Sequence, residues 1–256
     1  MRLHPIKSLD PVDVKQARIG PNGGLEGDRT WALYSVDGRW VNAKRTAAMH
    51  LLRAAYAPDL SSVTLSVPAD RRNISAGTFA FPQDTERAAQ WFSAYFEQQV
   101  IVRYALEGLP DDALASGPTI ISSATLEAVC GWFPGLTIDE ARLRFRTTLE
   151  IDGVPGFWED QLFGQQARSV VRFRIGEVAF EGSNPCARCP VPSRDPYTGR
   201  DISGFQKRFS ELRRTELPRW SPAGRFDHFY RLATNTRVAS TESGKLLRVG
   251  DPLNLV

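Results

Sequence analysis

Asn184-Pro185-Cys186-Ala187-Arg188-Cys189-Pro190, followed closely by Asp195-Pro196-Tyr197-Thr198-Gly199, is the stretch around which this 256-residue chain is organised. It holds two of the chain's 3 cysteines, with an arginine between them. The run Glu177-Val178-Ala179-Phe180-Glu181 ahead of it reads as a strand, and the Asp-Pro and Thr-Gly pairs behind it break regular structure. Two thiols on a loop between strands are poor core material. They suit a soft ligand for a metal, or a redox pair.

Outward from that loop the chain reads as many short strands with few helices. Val170-Val171-Arg172-Phe173-Arg174-Ile175 is a strand that Gly176 turns into the one before the cysteines, and Leu246 to Leu253 reads as strand, turn, strand. Arg144-Phe145-Arg146-Thr147-Thr148-Leu149-Glu150-Ile151 alternates, which predicts a strand with Arg144 and Arg146 on one face. Thr119-Ile120-Ile121 is a short strand, and Ser122 or Ser123 is placed to cap a helix through Leu126, Val129 and Cys130. Cys130 falls on that helix's apolar side, as a structural thiol would. Residues 203–217 form a basic helical stretch.

In the first half, Val12 and Val14 alternate with polar residues, and Trp31-Ala32-Leu33-Tyr34-Ser35 is a strong strand. Val36-Asp37-Gly38-Arg39 predicts a tight hairpin returning through Trp40-Val41. Short β-like runs follow over 47–66. Ala88, Ala89, Trp91, Phe92, Tyr95 and Phe96 recur at helical spacing within 84–99, as core rather than a cofactor stack. Val100 to Tyr104 is another strand. The polar, Pro/Gly/Asp-rich run from Glu107 to Gly117 reads as a linker, dividing the chain into 1–110 and 111–256. The expected fold class is mainly β (α+β), two β-barrel-like domains with a few helices rather than a doubly wound sheet.

Composition bounds the function. A formal net charge of +3 predicts no strong polyanion affinity, and the 6 tryptophans lack the basic interleaving of a nucleic-acid surface. Arg far outnumbers Lys, and Arg is the better fork for phosphate and carboxylate. The few cysteines fit a reducing compartment. No apolar run approaches the roughly 20 residues of a membrane span, and no signal peptide opens the sequence. A cytoplasmic protein is expected.

Cys-x-x-Cys alone leaves several chemistries open. Zinc needs four ligands, and here only Cys130 and 3 scattered histidines remain. A thioredoxin-like pair needs a helix start, which Pro190 and Pro192 oppose. A single thiolate to a soft metal needs one cysteine only. Lys7-Ser8 and Gly27-Asp28-Arg29 combine cations with small residues near turns, a set that can clamp a phosphate or simply be solvated strand ends. No P-loop or dinucleotide-binding glycine motif occurs.

Taken in order, the motifs resemble a known family. Pro5-Ile6-Lys7-Ser8-Leu9, Gly23 to Trp31 and Asp37-Gly38-Arg39 are similar to the N-terminal β-barrel domain that precedes MOSC domains. Arg144-Phe145-Arg146, Glu159-Asp160, Ile175 to Val178, Pro185 to Cys189, Asp195 to Gly199 and Arg248 to Pro252 resemble the MOSC domain itself. Within that family the likeness is to the mitochondrial amidoxime-reducing component and its bacterial counterparts. The resemblance implies a molybdenum cofactor of the molybdopterin type in the cleft between the domains. Cys189 would be the metal ligand and catalytic residue, and Lys7, Ser8, Arg29, Ser116, Gly117, Arg146, Thr148, Ala187 and Arg188 would hold the pterin and its phosphate. Thr148 stands where relatives often carry an asparagine, and Thr236 where eukaryotic relatives use a tyrosine. The implied activity is reduction of N-hydroxylated or N-oxide-type substrates. It would be fed by a separate electron donor of ferredoxin, flavin-reductase or cytochrome type, in a monomer bound to neither membrane nor nucleic acid. A non-catalytic module that carries or sulfurates the cofactor for a partner enzyme is the alternative, and zinc binding through Cys186 and Cys189 is a third.

Overall fold

The computed structural model describes residues 1–68, 74–105, 108 and 115–256. The boundary expected at 110/111 lies outside the described residues, as does most of the 107–117 linker. In the first half the strands are β1 (Arg2–Leu3), β2 (Val12–Asp13), β3 (Gln16–Arg18), β4 (Trp31–Ser35), β5 (Arg53–Tyr56), β6 (Ser62–Ser66) and β7 (Gly77–Ala80). Helix α1 (Thr85–Phe96) and strand β8 (Val100–Tyr104) follow. β4 pairs antiparallel with β8, and β5-β6-β7 form an antiparallel meander. The helical spacing read from the sequence is what packs them: Ala88, Phe92 and Tyr95 turn one face of α1 into a core with Leu33, Val63, Leu65 and Val102. Burying each such aromatic removes about 1.5–3 kcal/mol worth of apolar surface from water.

Two expectations need correction here. Residues 47–51 form a short 3₁₀ turn, not a β-like run. The Asp37-Gly38 turn forms, with Ser35 N–H donating to Arg39 O at 2.9 Å, but the return through Trp40 makes a single bridge to Tyr34. β8 takes the place of a return strand.

The second half comprises β9 (Ile120–Ser122), α2 (Ser123–Trp132), α3 (Ile138–Phe145), β10 (Leu149–Ile151), β11 (Val171–Ile175) and β12 (Val178–Ala187). Then come α4 (Phe205–Thr215), β13 (Arg231–Arg237), β14 (Leu246–Arg248) and β15 (Leu253–Leu255). Six strands make one curved sheet in the order β10-β9-β13-β12-β11-β15, antiparallel except where β10 runs parallel to β9. Ser122 caps α2 by accepting from Thr125 N–H. Cys130 sits half-buried at the edge of the helical core, and burial pushes its thiol up. The N-terminal strands join this half: β3 pairs with β14, and Leu3, Ala17, Ile19 and Leu25 share a core with Phe173, Phe180 and Leu247. No helix among the described residues is long and apolar enough to cross a membrane.

The strand expected over Arg144 to Ile151 is the main correction: its end, Leu149–Ile151, is strand, but Arg144 and Phe145 belong to a helix. A capping box between Thr137 and Glu140 starts α3, and Ala141, Arg144 and Phe145 fall on its buried face at helical spacing. The alternation of the run holds as strand only at Leu149–Ile151; over Arg144 and Phe145 the helix started at Thr137 prevails. The helix ends at Arg146, in the left-handed conformation with φ 50°, and the chain turns there into β10.

Candidate functional site

The end of β12 and the loop after it face the loops of the first half across a cleft with two adjoining compartments. The inner one, about 380 Å³, is lined among others by Asn22, Arg29, Ser116, Gly117, Asn184 and Asn235. The outer one, about 410 Å³, is lined by Lys7, Ser8, Lys44, Phe145, Cys189 and neighbouring residues. Arg29, Arg146, Cys186, Ala187 and Arg188 line both and form the partition between them.

Each side chain is placed by a specific local device. Lys7 N–H donates to Trp31 O at 2.8 Å and Arg29 N–H to His4 O at 2.9 Å, so the two basic loops are strapped together. Ser8 and Arg29 hold positive φ, 78° and 51°, a conformation that costs a non-glycine residue about 1 kcal/mol or more and clusters at functional sites. Arg29 Nη2 donates to Arg146 O at 2.9 Å, while Arg146 Nη2 donates to Leu9 O at 2.7 Å. The two guanidinium groups thus cross between the halves in opposite directions. Arg188 donates through Nε and Nη2 to Leu232 O and through Nη1 to Phe145 O, which fixes the cysteine loop against β13 and α3. Ser116 Oγ donates to Asn22 O at 2.6 Å, and Gly117 N–H to Thr236 O at 3.0 Å.

Buried charge beneath the site is compensated. Asp28 Oδ2 accepts from Arg29 at 2.7 Å and Oδ1 from His4 N–H at 2.7 Å. Burial pushes that carboxyl up, but Arg29 and the His4 backbone N–H outweigh it and hold the pKa at about 2. His4 is fully buried with no hydrogen-bond partner on either ring nitrogen; burial and the Arg146 charge lower it to about 3, so it is neutral. Asp195 organises the turn after the cysteines, accepting from Tyr197 N–H, Thr198 N–H and Thr198 Oγ1. Both aspartates are structural, and neither holds a proton to give at neutral pH.

Of the residues singled out in the sequence, Lys7, Ser8 and Cys189 line the outer compartment, Ser116 and Gly117 the inner, and Arg29, Arg146, Ala187 and Arg188 both. Thr148 lines neither. It is buried behind Arg29, and its Oγ1 lies 3.4 Å from Arg29 Nη1, so it is a support rather than a lining contact. Thr236 is likewise buried, its Oγ1 donating to Pro118 O. Arg144 does face the outer compartment, but from a helix, donating to Pro192 O and Arg194 O. Sequence reasoning missed Asn22, Asn42, Lys44, Asn184 and Asn235 as lining residues. Asn184 heads the cysteine stretch; nothing local marks the others, which tertiary packing alone brings together.

The lining suits a pterin with a phosphate and one thiolate-bound metal. Amide side chains of Asn22, Asn184 and Asn235 match the alternating donors and acceptors of a pterin edge, and arginines match a phosphate. Gly117 leaves no room for a side chain: an added Cβ would stand 2.5 Å from Thr236 Oγ1. Among the described residues, no three His, Cys, Asp or Glu side chains converge as a zinc site requires.

Comparison with known proteins agrees with this geometry. Residues 1–99 match the MOSC N-terminal beta barrel domain, and residues 120–254 match the MOSC domain. The chain is 21% identical to mitochondrial amidoxime-reducing component 1 of Xenopus laevis, over 98% of this chain and 79% of that protein. With both domains matched in order and the cysteine loop of the second facing the basic loops of the first, the chain belongs to the MOSC-domain family.

Proposed function

We propose that the protein is a molybdenum-cofactor-dependent reductase of N-hydroxylated or N-oxide-type compounds. One observation carries the reading. A thiol on an exposed loop, Cys189, shares a cleft with a cation set drawn from both halves of the chain: Lys7 and Arg29 from one, Arg146 and Arg188 from the other. The amidoxime-reducing relative supports it.

The cofactor, when bound, supplies a two-electron couple that breaks an N–O bond with uptake of two protons and release of water. The chain does the holding. Cys189 would give the soft thiolate ligand, and Lys7, Ser8, Arg29 and Arg146 would hold the phosphate and pterin. Ser116, Gly117, Ala187 and Arg188 would hold the pterin as well, with Arg188 fixing the cysteine loop through its bonds to Leu232 and Phe145. Thr148 acts through Arg29. The protein works as a cytoplasmic monomer and takes electrons from a separate ferredoxin, flavin-reductase or cytochrome-type protein.

Metal analysis of the purified protein, followed by reductase assay with a chemical electron donor and an amidoxime, tests this. Molybdenum with one pterin per chain and N–O reduction is the expected result. Cys189→Ala should abolish activity and Cys186→Ala should retain much of it. Zinc in place of molybdenum would overturn the proposal, and molybdenum without reduction would leave the cofactor-carrier reading in its place.

A further inference from the structure

Among the described residues, the outer compartment is lined by six cationic side chains, Lys7, Arg29, Lys44, Arg144, Arg146 and Arg188, and by no carboxylate. Arg29 is paired with Asp28. Arg144 and Arg188 are held by backbone carbonyls, which fix the guanidinium groups but do not cancel their charge. Lys7 leans over the Trp40 ring, 5.0 Å from its centroid. Lys44 is different. It is exposed, and among the described residues it has no hydrogen bond, ion pair or ring contact. Its backbone is nonetheless pinned, because Arg194 reaches across the cleft to donate to Ala43 O. Half-buried Val191 adds apolar surface to the same lining.

The charges of Lys44, Arg144 and Arg188 raise the local concentration of anions in the cleft and repel cations. A cofactor phosphate would take up charge at Lys7, Arg29 and Arg146, leaving Lys44 without a use. We propose that the substrate itself is an anion, an N-hydroxylated compound carrying a carboxylate on an apolar ring or chain, and that Lys44 binds that carboxylate. This rests on the reductase reading for the chemistry but not for the anion site.

The test compares benzamidoxime with 4-carboxybenzamidoxime on the cofactor-loaded protein. At low salt the carboxylated compound should have a kcat/KM about tenfold higher, and the advantage should shrink as salt screens the charge. Lys44→Gln should erase the preference through KM, whereas Lys15→Gln, an equal loss of charge outside the cleft, should leave it intact. Benzoate binding by equilibrium dialysis gives a readout without turnover, and it should weaken about tenfold in Lys44→Gln. Equal kcat/KM for the two amidoximes, or benzoate binding that ignores Lys44, would overturn the anion site while leaving the reductase reading standing. Benzoate binding that depends on Lys44 with neither amidoxime reduced would keep the anion site and sink the reductase reading.

Discussion

Acid should weaken this fold through one histidine. His4 is fully buried between the basic loops, and both ring nitrogens lack partners; Nδ1 stands 3.8 Å from Asp28 Oδ1, too far for a hydrogen bond. Its pKa falls from 6.5 to about 3, by burial first and the Arg146 charge second. Because the folded pKa lies below the unfolded one, the unfolded chain binds the extra proton throughout that window. The stability associated with His4 is therefore complete above about pH 6.5 and is lost as pH falls towards 3. Between pH 7 and pH 4 the loss is about 3 kcal/mol, at 1.36 kcal/mol per pH unit below 6.5. That is a large share of the roughly 5–15 kcal/mol by which domains are stable. His4→Leu should remove the dependence. It keeps the backbone bonds to Asp28 and Arg29 and replaces an unsatisfied ring by hydrocarbon, a change that is close to neutral at pH 7. Urea unfolding of both proteins at pH 7, 5.5 and 4 makes the comparison. The difference in unfolding free energy between them should shift by about 3 kcal/mol in favour of the variant at pH 4. His50 titrates in a similar range but is common to both, so it cancels. Equal loss of stability in the two proteins would refute the assignment.

Three further outcomes follow from the same contacts. Asp28→Asn removes the carboxylate that pairs with Arg29; it should cost about 2 kcal/mol at pH 7 in urea unfolding, a penalty that fades between pH 4 and 2 as the wild-type carboxyl takes up its proton. Asp160→Asn leaves Arg213 as a buried charge beside Phe157 and Phe226 without its ion pair, and thermal unfolding should report a loss of about 3–5 kcal/mol. Gly117→Ala drives a methyl into Thr236, so molybdenum content should fall several-fold while the melting midpoint falls only as far as about 1–3 kcal/mol of overpacking requires.

Much of the architecture is legible in the sequence because its signals are local and repeated. The aromatic spacing of α1, the Ser122 cap of α2 and the alternation in β11 each recur over enough residues to fix an element type. Arg144-Phe145-Arg146 is not legible on that basis. Three alternating residues fit the last turn of a helix as well as a strand, and the deciding signal, the Thr137–Glu140 box, lies seven residues upstream of Arg144. The cysteine loop announces itself by composition, and the order of the family motifs names the basic residues that face it. The amide-bearing wall of the inner compartment is invisible: Asn22, Asn184 and Asn235 come from separate loops and strands, and only the closure of the sheet on the N-terminal segment gathers them.

The cleft and the interface between the halves are one object. Arg29 donates to the backbone of the second half at Arg146, and Arg146 donates to the backbone of the first at Leu9. A single such bridge would let the halves pivot about it, since one hydrogen bond fixes a distance and not an orientation. Two bridges running in opposite directions restrict that pivot, and the β3–β14 pairing with the shared core beneath it completes the restraint. Arg194 to Ala43 and Arg53 to Pro196 add two further bonds between the halves. The Cys189 loop is held to its own half by Arg188, and Lys7 and Ser8 to theirs by the strap at Trp31. The gap between the thiol and the basic wall is therefore set largely by charge-assisted arginine bonds to carbonyls, which are worth more than neutral ones. A ligand that must touch both walls meets a site assembled before it arrives, and spends its binding energy on contact rather than on closing the two halves together.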